Sequence, residues 1–297
     1  MKCRRCHAEA AVSLPSHNTA FCPQCYLDFF ARQVASGIQE QKLLEKGDRI
    51  LVALSGGKDS LALILELSRQ GYDVAGLHID LGIPGYSDVS RSVVQRFCGK
   101  HSLPLIIKRT ADEGLAIPDV KKKVDRPICS VCGKIKRHIF NRTAREEGFT
   151  ALATGHNLDD EIARLTSNIL RWDTDYLSDE GPLLDASGNF IKKVKPLWRL
   201  TEYETANYAF LMGIENYYAP CPYSKGASFS VYKKLWIELE EKMPGRKLHF
   251  YQRFLTHARA FFQTEGKEER LMPCVSCGSP TSAELCGVCR IKALMKA

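Results

Sequence analysis

The stretch that most constrains the fold is 50–60, where five apolar residues run directly into Ser-Gly-Gly-Lys-Asp-Ser. The apolar run from Ile50 to Leu54 predicts a buried parallel strand, and the leucine-rich segment after Ser60 predicts a helix. Two glycines at the turn let the main chain approach a ligand closely, and the N-terminus of the following helix adds positive potential. The stretch therefore predicts a phosphate-binding loop in an α/β fold.

The loop does not have the Walker spacing of Gly-x-x-x-x-Gly-Lys-Ser/Thr. It resembles the Ser-Gly-Gly-x-Asp-Ser signature of the PP-loop ATP pyrophosphatases, and all five fixed positions match, as Ser55, Gly56, Gly57, Asp59 and Ser60. The resemblance implies that the loop holds the pyrophosphate half of ATP while AMP is transferred to a substrate oxygen. A glycine turn that binds no ligand is the alternative.

Cysteine usage is the second constraint, with twelve cysteines in 297 residues. The chain has no long apolar run and no signal-peptide pattern, so we expect a cytoplasmic protein without membrane association, whose cysteines bind metals or act in catalysis. Eight of them form two double Cys-x-x-Cys sets, each able to surround one tetrahedral Zn²⁺. We predict two structural zinc ribbons, on Cys3, Cys6, Cys22 and Cys25 and on Cys274, Cys277, Cys286 and Cys289.

Four cysteines lie outside these two sets. Cys98 falls in an amphipathic helical pattern and is predicted to be a buried apolar residue. Cys129 and Cys132 follow Pro127, and Cys221 lies between two prolines, so both segments are predicted to be rigid turns rather than helix interiors. Three thiolates can hold a metal with one open position; alternatively, Cys129 or Cys132 forms a persulfide, or a disulfide with Cys221.

Strands and helices alternate from residue 47 onward. Strands are predicted at 72–80, 103–108 and 149–154 and a helix at 88–101, which together indicate a doubly wound parallel sheet covered on both faces. Gly-His-Asn-Leu-Asp-Asp follows the last strand, and we expect it to share a crevice with the phosphate loop, because ligands of open α/β sheets bind at that edge. Its acidic pair can hold Mg²⁺ or transfer a proton, with helix capping as the alternative.

Basic residues are concentrated in one part of a chain whose net charge is +8. The segment 121–142 holds eight Lys or Arg residues against one acid and encloses the Cys-x-x-Cys pair. A cationic surface there fits an RNA backbone or ATP phosphates, whereas a solvated helix face is the alternative. We expect Lys134, Lys136 and Arg137 to face the site.

The complete order of motifs resembles the TtuA family of tRNA uridine 2-thiolation enzymes over almost the entire chain. The resemblance implies ATP, Mg²⁺, two Zn²⁺ and a [4Fe-4S] cluster on Cys129, Cys132 and Cys221 whose fourth iron is free to bind sulfide. It also implies which residues hold ATP. They are Ala53, Ser55, Gly56, Gly57, Lys58, Asp59, Ser60, His78, Ile79, Lys136, Gly155 and Asp160.

The resemblance suggests a mechanism. We expect the C2 oxygen of a tRNA uridine to attack the α-phosphate of ATP, while Mg²⁺ and Lys58 or Lys136 offset the developing charge. Sulfide on the open iron then attacks C2 and expels AMP, leaving 2-thiouridine. Asp160 is the candidate for proton handling or for orienting the lysine. The expected partners are tRNA, a ubiquitin-like sulfur carrier with a C-terminal thiocarboxylate (or free sulfide), and a second copy in a homodimer.

Two questions of target and organisation stay open. The uridine is the T-loop one, which we favour, or the wobble one; tRNA cytidine 2-thiolation of the TtcA type and a non-enzymatic zinc-ribbon RNA-binding protein are the alternative functions. The predicted domains are an N-terminal ribbon at 1–30, a linker helix at 31–46, a catalytic domain at 47–222, a helical extension at 223–270 and a C-terminal ribbon at 271–297. Helices are predicted in the extension at 229–242 and 246–263.

Overall fold

The computed structural model describes residues 1–224, 229–262 and 271–296. Parts of the predicted extension and residue 297 therefore lie outside the described residues. In chain order the elements are β1 (Val12–Leu14), β2 (Thr19–Phe21), α1 (Pro23–Glu40), β3 (Arg49–Leu54), α2 (Lys58–Arg69), β4 (Asp73–Asp80), α3 (Ser87–Lys100), β5 (Leu105–Arg109), α4 (Ile117–Lys123), α5 (Ile128–Glu146), β6 (Ala151–Thr154), α6 (Leu158–Arg171), α7 (Thr174–Ser178), β7 (Leu183–Leu184), β8 (Lys192–Val194), α8 (Glu202–Leu211), α9 (Phe229–Lys242), α10 (Arg246–Arg253), β9 (Met272–Pro273), β10 (Pro280–Thr281) and α11 (Gly287–Lys296). Within these ranges, none of the helices has the length and apolarity needed to span a membrane.

A six-stranded sheet in the order β5-β4-β3-β6-β8-β7 forms the centre of the molecule. Neighbouring strands run parallel, except that β7 is antiparallel to β8. The chain moves outward from β3 through β4 to β5 and then crosses to β6 on the other side of β3. The topological switch point thus lies between the carboxyl ends of β3 and β6, where ligands of such sheets bind. The predicted doubly wound α/β fold is confirmed.

Two hydrophobic cores cover the two faces of the sheet. Because side chains alternate along a strand, Ile50, Val52 and Leu54 of β3 enter one core, and Leu51 enters the other. The first core also contains buried residues of α1, α2, α3 and α8, and the second contains buried residues of α4, α5 and α11. Burial on both faces explains why β3 is an uninterrupted apolar run rather than an alternating pattern.

Each terminal cysteine set surrounds a short antiparallel hairpin, β1–β2 in one case and β9–β10 in the other. The N-terminal unit is held against α8, where His17 Nε2 lies 2.7 Å from the Glu204 carboxylate. The C-terminal unit is held by Glu113, which accepts hydrogen bonds from Arg142 of α5 and from Lys292 of α11, the latter at 2.5 Å. Burial opposes ionisation of Glu113, but the two cations outweigh it and lower its pKa to about 2. Both units therefore pack on the central domain through side-chain contacts to a buried or half-buried carboxylate.

The predicted strands at 72–80, 103–108 and 149–154 and the helices at 88–101 and 229–242 are confirmed within two residues at each end. One other local prediction is wrong, and a second is right only in part. Cys129 and Cys132 lie inside α5, and Pro127 is the N-cap of that helix. A proline is tolerated there because the N–H groups at a helix start have no intrahelical acceptor, so the N–H that proline lacks is not needed. The α-helical part of the segment predicted at 246–263 ends at Arg253 and continues as a π turn and a 3₁₀ turn to Phe262.

Candidate active site

A cavity of about 320 Å³ lies at the switch point, between the carboxyl ends of β3 and β6. It is lined by both the phosphate loop and the turn after β6, so the two motifs share one crevice, as expected. Most of the residues predicted to hold ATP are in its wall, whereas Gly56, Lys58 and Asp160 are not. Those in the wall are Ala53, Ser55, Gly57, Asp59, Ser60, His78, Ile79, Lys136 and Gly155.

The phosphate loop is braced by its own side chains. Gly56 adopts a left-handed conformation (φ 86°), which a glycine accepts without strain. Ser60 Oγ donates to the Gly57 carbonyl at 3.0 Å and accepts the Ser55 N–H at 3.2 Å, and Ser55 Oγ accepts the Gly57 N–H at 3.3 Å. The helix that follows leaves the N–H groups of its first turn without intrahelical acceptors, so the rigid loop offers donors and positive potential to an anion in the cavity.

Gly155 lets the turn after β6 approach the phosphate loop. A Cβ at this position would lie 2.8 Å from the backbone nitrogen of Ser60 and 2.9 Å from its Cα, closer than real Cβ atoms come. Nearby, Asn157 Nδ2 donates to Asp59 Oδ1 at 3.2 Å. The glycine is therefore required by a close backbone contact between the two halves of the crevice.

Substituting Gly155 by alanine is expected to weaken ATP binding at least tenfold, because the new methyl group can be accommodated only if the backbone at Ser60 moves. Titration calorimetry with ATP measures the change. Gly99→Ala in α3 is the matched control, since a Cβ at that exposed helical position meets no atom within 4 Å. Equal ATP affinity of Gly155→Ala and the wild type would show that this contact does not position the loop.

His78 lies in the cavity wall at the end of β4. Its Nδ1 is 2.9 Å from the Leu54 carbonyl oxygen, and its Nε2 is buried without a hydrogen-bond partner among the described residues. Burial is the main cause that lowers the pKa of His78, so the ring is neutral at pH 7 and, with Nδ1 as donor, Nε2 is an acceptor. An unsatisfied buried acceptor is costly. The amino group of a bound adenine is a donor that would satisfy it.

Lys58 and Asp160, which the sequence predicts as direct participants, belong to an ion-pair network beside the cavity. Lys58 Nζ lies 3.1 Å from Asp59 Oδ2 and 3.1 Å from Glu202 Oε1. Lys233 Nζ lies 2.7 Å from Asp160 Oδ1 and 3.2 Å from Glu202 Oε2. Burial opposes the charge of both lysines, but the carboxylates outweigh it and raise the pKa of Lys58 and of Lys233. Both lysines are therefore held as cations.

Sequence reasoning missed Lys233 and Glu202. Neither belongs to a motif, and each lies on a helix that follows the turn after β6 in the chain, Glu202 at the start of α8 and Lys233 in α9. The packing of α9 against α6 brings Lys233 to the crevice. No signal in the sequence separates Lys233 from its neighbour Lys234, which is exposed.

The two acids of the turn after β6 have different surroundings. Asp159 is buried in an ion pair with Lys247 of α10 and accepts the Glu202 N–H at 2.7 Å, so it is not available to a ligand in the crevice. Asp160 forms a reciprocal capping box with Asn157 at the start of α6. Because successive residues of a helix point about 100° apart, these two neighbouring acids face different partners. The helix-capping alternative is thus present in the structure, and of the pair only Asp160 also reaches the charge network.

Cys132 and Cys221 lie within electrostatic range of Tyr86, a residue of the cavity wall. Cys129 Sγ donates to the Tyr223 carbonyl at 3.3 Å, which ties α5 to the Cys221 turn. Burial raises the pKa of Cys132, Lys136 acts in the opposite direction, and the charges of Cys221 and Cys129 raise it further, so the three sulfurs are within electrostatic range of one another. Tyr217 N donates to the Gly56 carbonyl at 2.8 Å and fixes the approach of this segment to the phosphate loop.

The spacing of the three sulfurs distinguishes two kinds of centre. Within the described ranges, the groups of ligand atoms that all lie within 4.8 Å of one another are the two terminal cysteine sets. Cys129, Cys132 and Cys221 are not among these groups, so their sulfurs are more widely spaced than those of the two closed sets. An iron–sulfur cluster carries its irons at separate corners and is held by thiolates, so three convergent but more distant cysteines fit it better.

The terminal cysteine sets fit zinc. Four sulfurs within 4.8 Å of one another are the donor set of a closed tetrahedral site. In the C-terminal set the N–H of Cys286 donates to Cys274 Sγ at 3.2 Å, and this hydrogen bond is the largest influence that lowers the pKa of Cys274, to about 6. A thiol held in this way is already biased toward the thiolate that binds metal.

The basic residues of α5 do not all face the crevice. Lys136 lines it, as predicted, but Lys134 and Arg137 line a second cavity of about 590 Å³. The prediction was wrong for these two residues because helical residues four positions apart, such as Cys132 and Lys136, share a face. Lys134 lies two positions before Lys136 and Arg137 one position after it, so neither shares that face.

Comparisons with known proteins agree with this arrangement. Residues 28–214 match the PP-loop domain family, and residues 2–27 match the N-terminal LIM domain of the 2-thiouridine synthetase TtuA. The chain is 42% identical to the tRNA-5-methyluridine(54) 2-sulfurtransferase of Pyrococcus horikoshii, over 100% of this chain and 95% of the relative. It is 41% identical to the enzyme of the same name from Thermus thermophilus, over 98% of this chain and 91% of the relative.

A solved structure is also similar. The U34-tRNA thiolase NcsA from Methanococcus maripaludis, solved with its [4Fe-4S] cluster, matches with a TM-score of 0.80 and 28% identity over 99% of this chain and 96% of that one. The sequence matches thus cover the N-terminal cysteine module and the PP-loop domain, and the fold similarity extends over nearly the full length of the chain. The chain belongs to the PP-loop proteins and, within them, to the TtuA family of tRNA uridine 2-thiolation enzymes.

Proposed function

We propose that this protein replaces the C2 oxygen of the T-loop uridine U54 of tRNA by sulfur, in a reaction that consumes ATP. The observation that carries the proposal lies on α5. Cys132 of the three-cysteine set and Lys136 in the wall of the ATP cavity are one helical turn apart on the same face, about 6 Å along the axis. Oxygen activation and sulfur delivery can therefore act on one bound base. The names of the two most similar relatives described above support U54 as the target.

In the first step, the uridine C2 oxygen attacks the α-phosphorus of ATP and pyrophosphate leaves. The braced loop and the first turn of α2 bind the departing pyrophosphate. Lys136 has no ion-pair partner in the part of the chain that the structure describes, so its charge is free to offset the charge that develops on the α-phosphate. Lys58 already balances Asp59 and Glu202, and we assign it to holding the loop rather than to the transition state.

Magnesium would accompany ATP. Mg²⁺ is bound mainly by phosphates, waters and one or two carboxylates. Asp59 is the carboxylate in the cavity wall. Burial is the main cause that raises the pKa of Asp59, and the positive charge of Lys58 only partly offsets this effect. We propose that Asp59 supplies the protein ligand to this ion.

In the second step, sulfur adds at C2, AMP leaves with the former uridine oxygen, and no atom changes its oxidation state. When bound, the [4Fe-4S] cluster supplies an open iron position at which sulfide can be held. Cys129, Cys132 and Cys221 would hold the cluster. Cys132 and Cys221 are half-buried and Cys129 is exposed, and the Cys221 turn is fixed through Tyr217 to the phosphate loop.

Asp160 acts in this proposal as a positioning residue that orients Lys233. Asp160→Asn is expected to lower thiolation turnover about a hundredfold, in the range found when a positioned charge is lost, while ATP affinity and metal content are kept. Lys233→Ala should show a similar loss, and the double variant should lose little more, because both act through one ion pair. Normal turnover of Asp160→Asn in a single-turnover assay would remove the residue from the mechanism.

The remaining partners are also proposals. A ubiquitin-like carrier with a C-terminal thiocarboxylate, or free sulfide, would supply sulfur to the crevice. A homodimer would cover α9, whose outer face exposes Val231 and Leu235 together with Lys234 and Glu238. Two copies of α9 packed antiparallel about a two-fold axis would place Lys234 of one copy near Glu238 of the other. Light scattering measures whether the protein is a dimer.

Related thiolation proteins are named cytoplasmic, and we propose the same compartment.

The predicted domain boundaries complete the proposal. Residues 1–30 and 271–297 would fold around their zinc ions as separate modules on either side of the catalytic domain at 47–222, joined to it by the segments 31–46 and 223–270. Zinc-dependent protease protection of the two terminal modules would test these boundaries.

The decisive test is an anaerobic assay with unmodified tRNA, ATP and sulfide, followed by nucleoside analysis. We expect 2-thiouridine and AMP in equal amounts, and no product with a tRNA that carries cytidine at position 54. The similarity to a U34 thiolase makes the wobble uridine the second candidate, and in that case substitution at position 34 would abolish product instead. If fully metal-loaded protein forms no thiouridine in the tRNA that carries uridine at both position 34 and position 54, the proposal is contradicted.

A further inference from the structure

The second cavity, of about 590 Å³, lies between α5, β8 and the C-terminal ribbon. It shares α5 with the ATP cavity, but a different face of the helix lines it. Lys134, Arg137 and His138 belong to the second cavity, and Lys136 and Phe140 belong to the first. Because a helix with its side chains is about 10 Å across, one ligand chain of modest length can reach both cavities.

The cations of this cavity are not neutralised by the protein. Lys134, Arg137 and Lys193 have no ion-pair partner among the residues that the structure describes. Burial is the main cause that lowers the pKa of Lys193, and the positive charges of Arg137, Lys195 and Arg164 lower it further, without an opposing carboxylate. Asp179 and Asp185 also line the cavity, but both are exposed. An anion placed near Lys193 and Arg137 would relieve this repulsion.

Two other features of the wall suit a base rather than a bare phosphate. His138 Nε2 is buried without a hydrogen-bond partner in the described ranges, while its Nδ1 lies 3.3 Å from Ser279 Oγ. The Phe190 ring, in the same wall, is 42% exposed. An unpaired base stacks on aromatic rings and forms hydrogen bonds through its edges, which is how proteins recognise single-stranded and looped RNA.

We propose that this cavity binds an unpaired nucleotide of the tRNA substrate, with a phosphate on Arg137 and Lys193 and the base against Phe190. The proposal rests on the proposed function and adds the place where the RNA is held outside the reaction site. The nucleotide would be a neighbour of the reacting uridine, because only α5 separates the two cavities. The C-terminal ribbon, through Ser279 and Gly287 in the cavity wall, then forms part of the RNA-binding surface.

The test compares tRNA binding by wild type and by Arg137→Ala/Lys193→Ala, measured by fluorescence anisotropy over a range of salt concentrations. We expect the affinity of the double variant for tRNA to fall at least tenfold at low salt. The slope of log K against log[salt] should decrease in magnitude by about 0.7 for each phosphate that the variant no longer neutralises. Phe190→Ala should weaken binding about tenfold without a change of slope, because it removes stacking and not charge.

Arg96→Ala/Lys100→Ala is the matched control. It makes the same change of charge on α3, whose buried residues belong to the core on the other face of the sheet, and both side chains are exposed. Wild-type affinity and slope are expected for this control. Thermal denaturation of each variant verifies folding, and Lys193→Gln provides a second variant of similar size in case Lys193→Ala does not fold.

The outcomes separate the inference from the function it rests on. If wild type forms thiouridine but the cavity variants bind tRNA like the control, the inference is wrong and the proposed function stands. If the variants lose binding of the sulfur carrier and keep tRNA binding, the cavity serves the carrier and the inference is again wrong. If wild type neither binds nor thiolates tRNA, the proposed function fails, and the inference with it.

Discussion

Cys221→Ala is expected to abolish thiolation and to remove iron from protein purified without oxygen, while two zinc ions per chain are retained. The cluster would be left with two thiolate ligands, Cys129 and Cys132, both on one helix, and nothing on the opposite side would hold it. The zinc sites use other cysteines that lie at the two ends of the chain and should be unaffected. Metal analysis together with the absorption and Mössbauer spectra measures the result.

Cys98→Ala is the matched control for this experiment. Cys98 is a buried thiol on the core-facing side of α3, and burial raises its pKa to about 11, so it is an inert apolar residue as predicted. This variant is expected to keep its iron and its activity. Two zinc ions without any iron in anaerobic wild-type protein would contradict the cluster and would instead favour persulfide chemistry on Cys129 or Cys132.

Lys195→Ala is expected to cost about 3 kcal/mol of the free energy of unfolding, near the lower end of the range for breaking a buried ion pair. Lys195 Nζ lies 2.6 Å from Oε2 of Glu161, a residue of α6, and both side chains are buried. Burial would raise the pKa of Glu161, but the charges of Lys195 and Arg164 outweigh it and lower that pKa, so the carboxylate is ionised. Without Lys195 an under-compensated charge stays in the core.

The loss is kept near the lower end of that range because Arg164 and the hydroxyl of Tyr251 also contact Glu161, at 3.1 and 3.0 Å. Denaturant unfolding of the metal-loaded protein measures the effect. Lys122→Ala breaks an exposed, solvent-screened ion pair with Asp119 and is expected to cost much less than Lys195→Ala. Equal losses in the two variants would show that the buried network contributes no more than a surface pair.

Some features of this protein could be derived from the sequence because their determinants are local. The phosphate loop needs a strand, two glycines and a helix start within eleven positions, and 50–60 contains all of them. A zinc site needs two Cys-x-x-Cys turns, and the structure brings the sulfurs of each set together. Alternation of strands with helices restricts the sheet to parallel crossovers. The fold class and the meeting of the two catalytic turns therefore followed from short-range spacing.

Other features were decided by the tertiary structure. Asp159 and Asp160 are adjacent in sequence, yet the first forms a buried ion pair with Lys247 of α10 and the second pairs with Lys233 of α9, because both helices pack against α6. Likewise, Lys136 and Arg137 line different cavities. The sequence by itself determined the chemistry available at each turn, since that depends on neighbours a few positions apart. Which side chain meets which partner depended on how distant helices pack, and no local spacing encodes that.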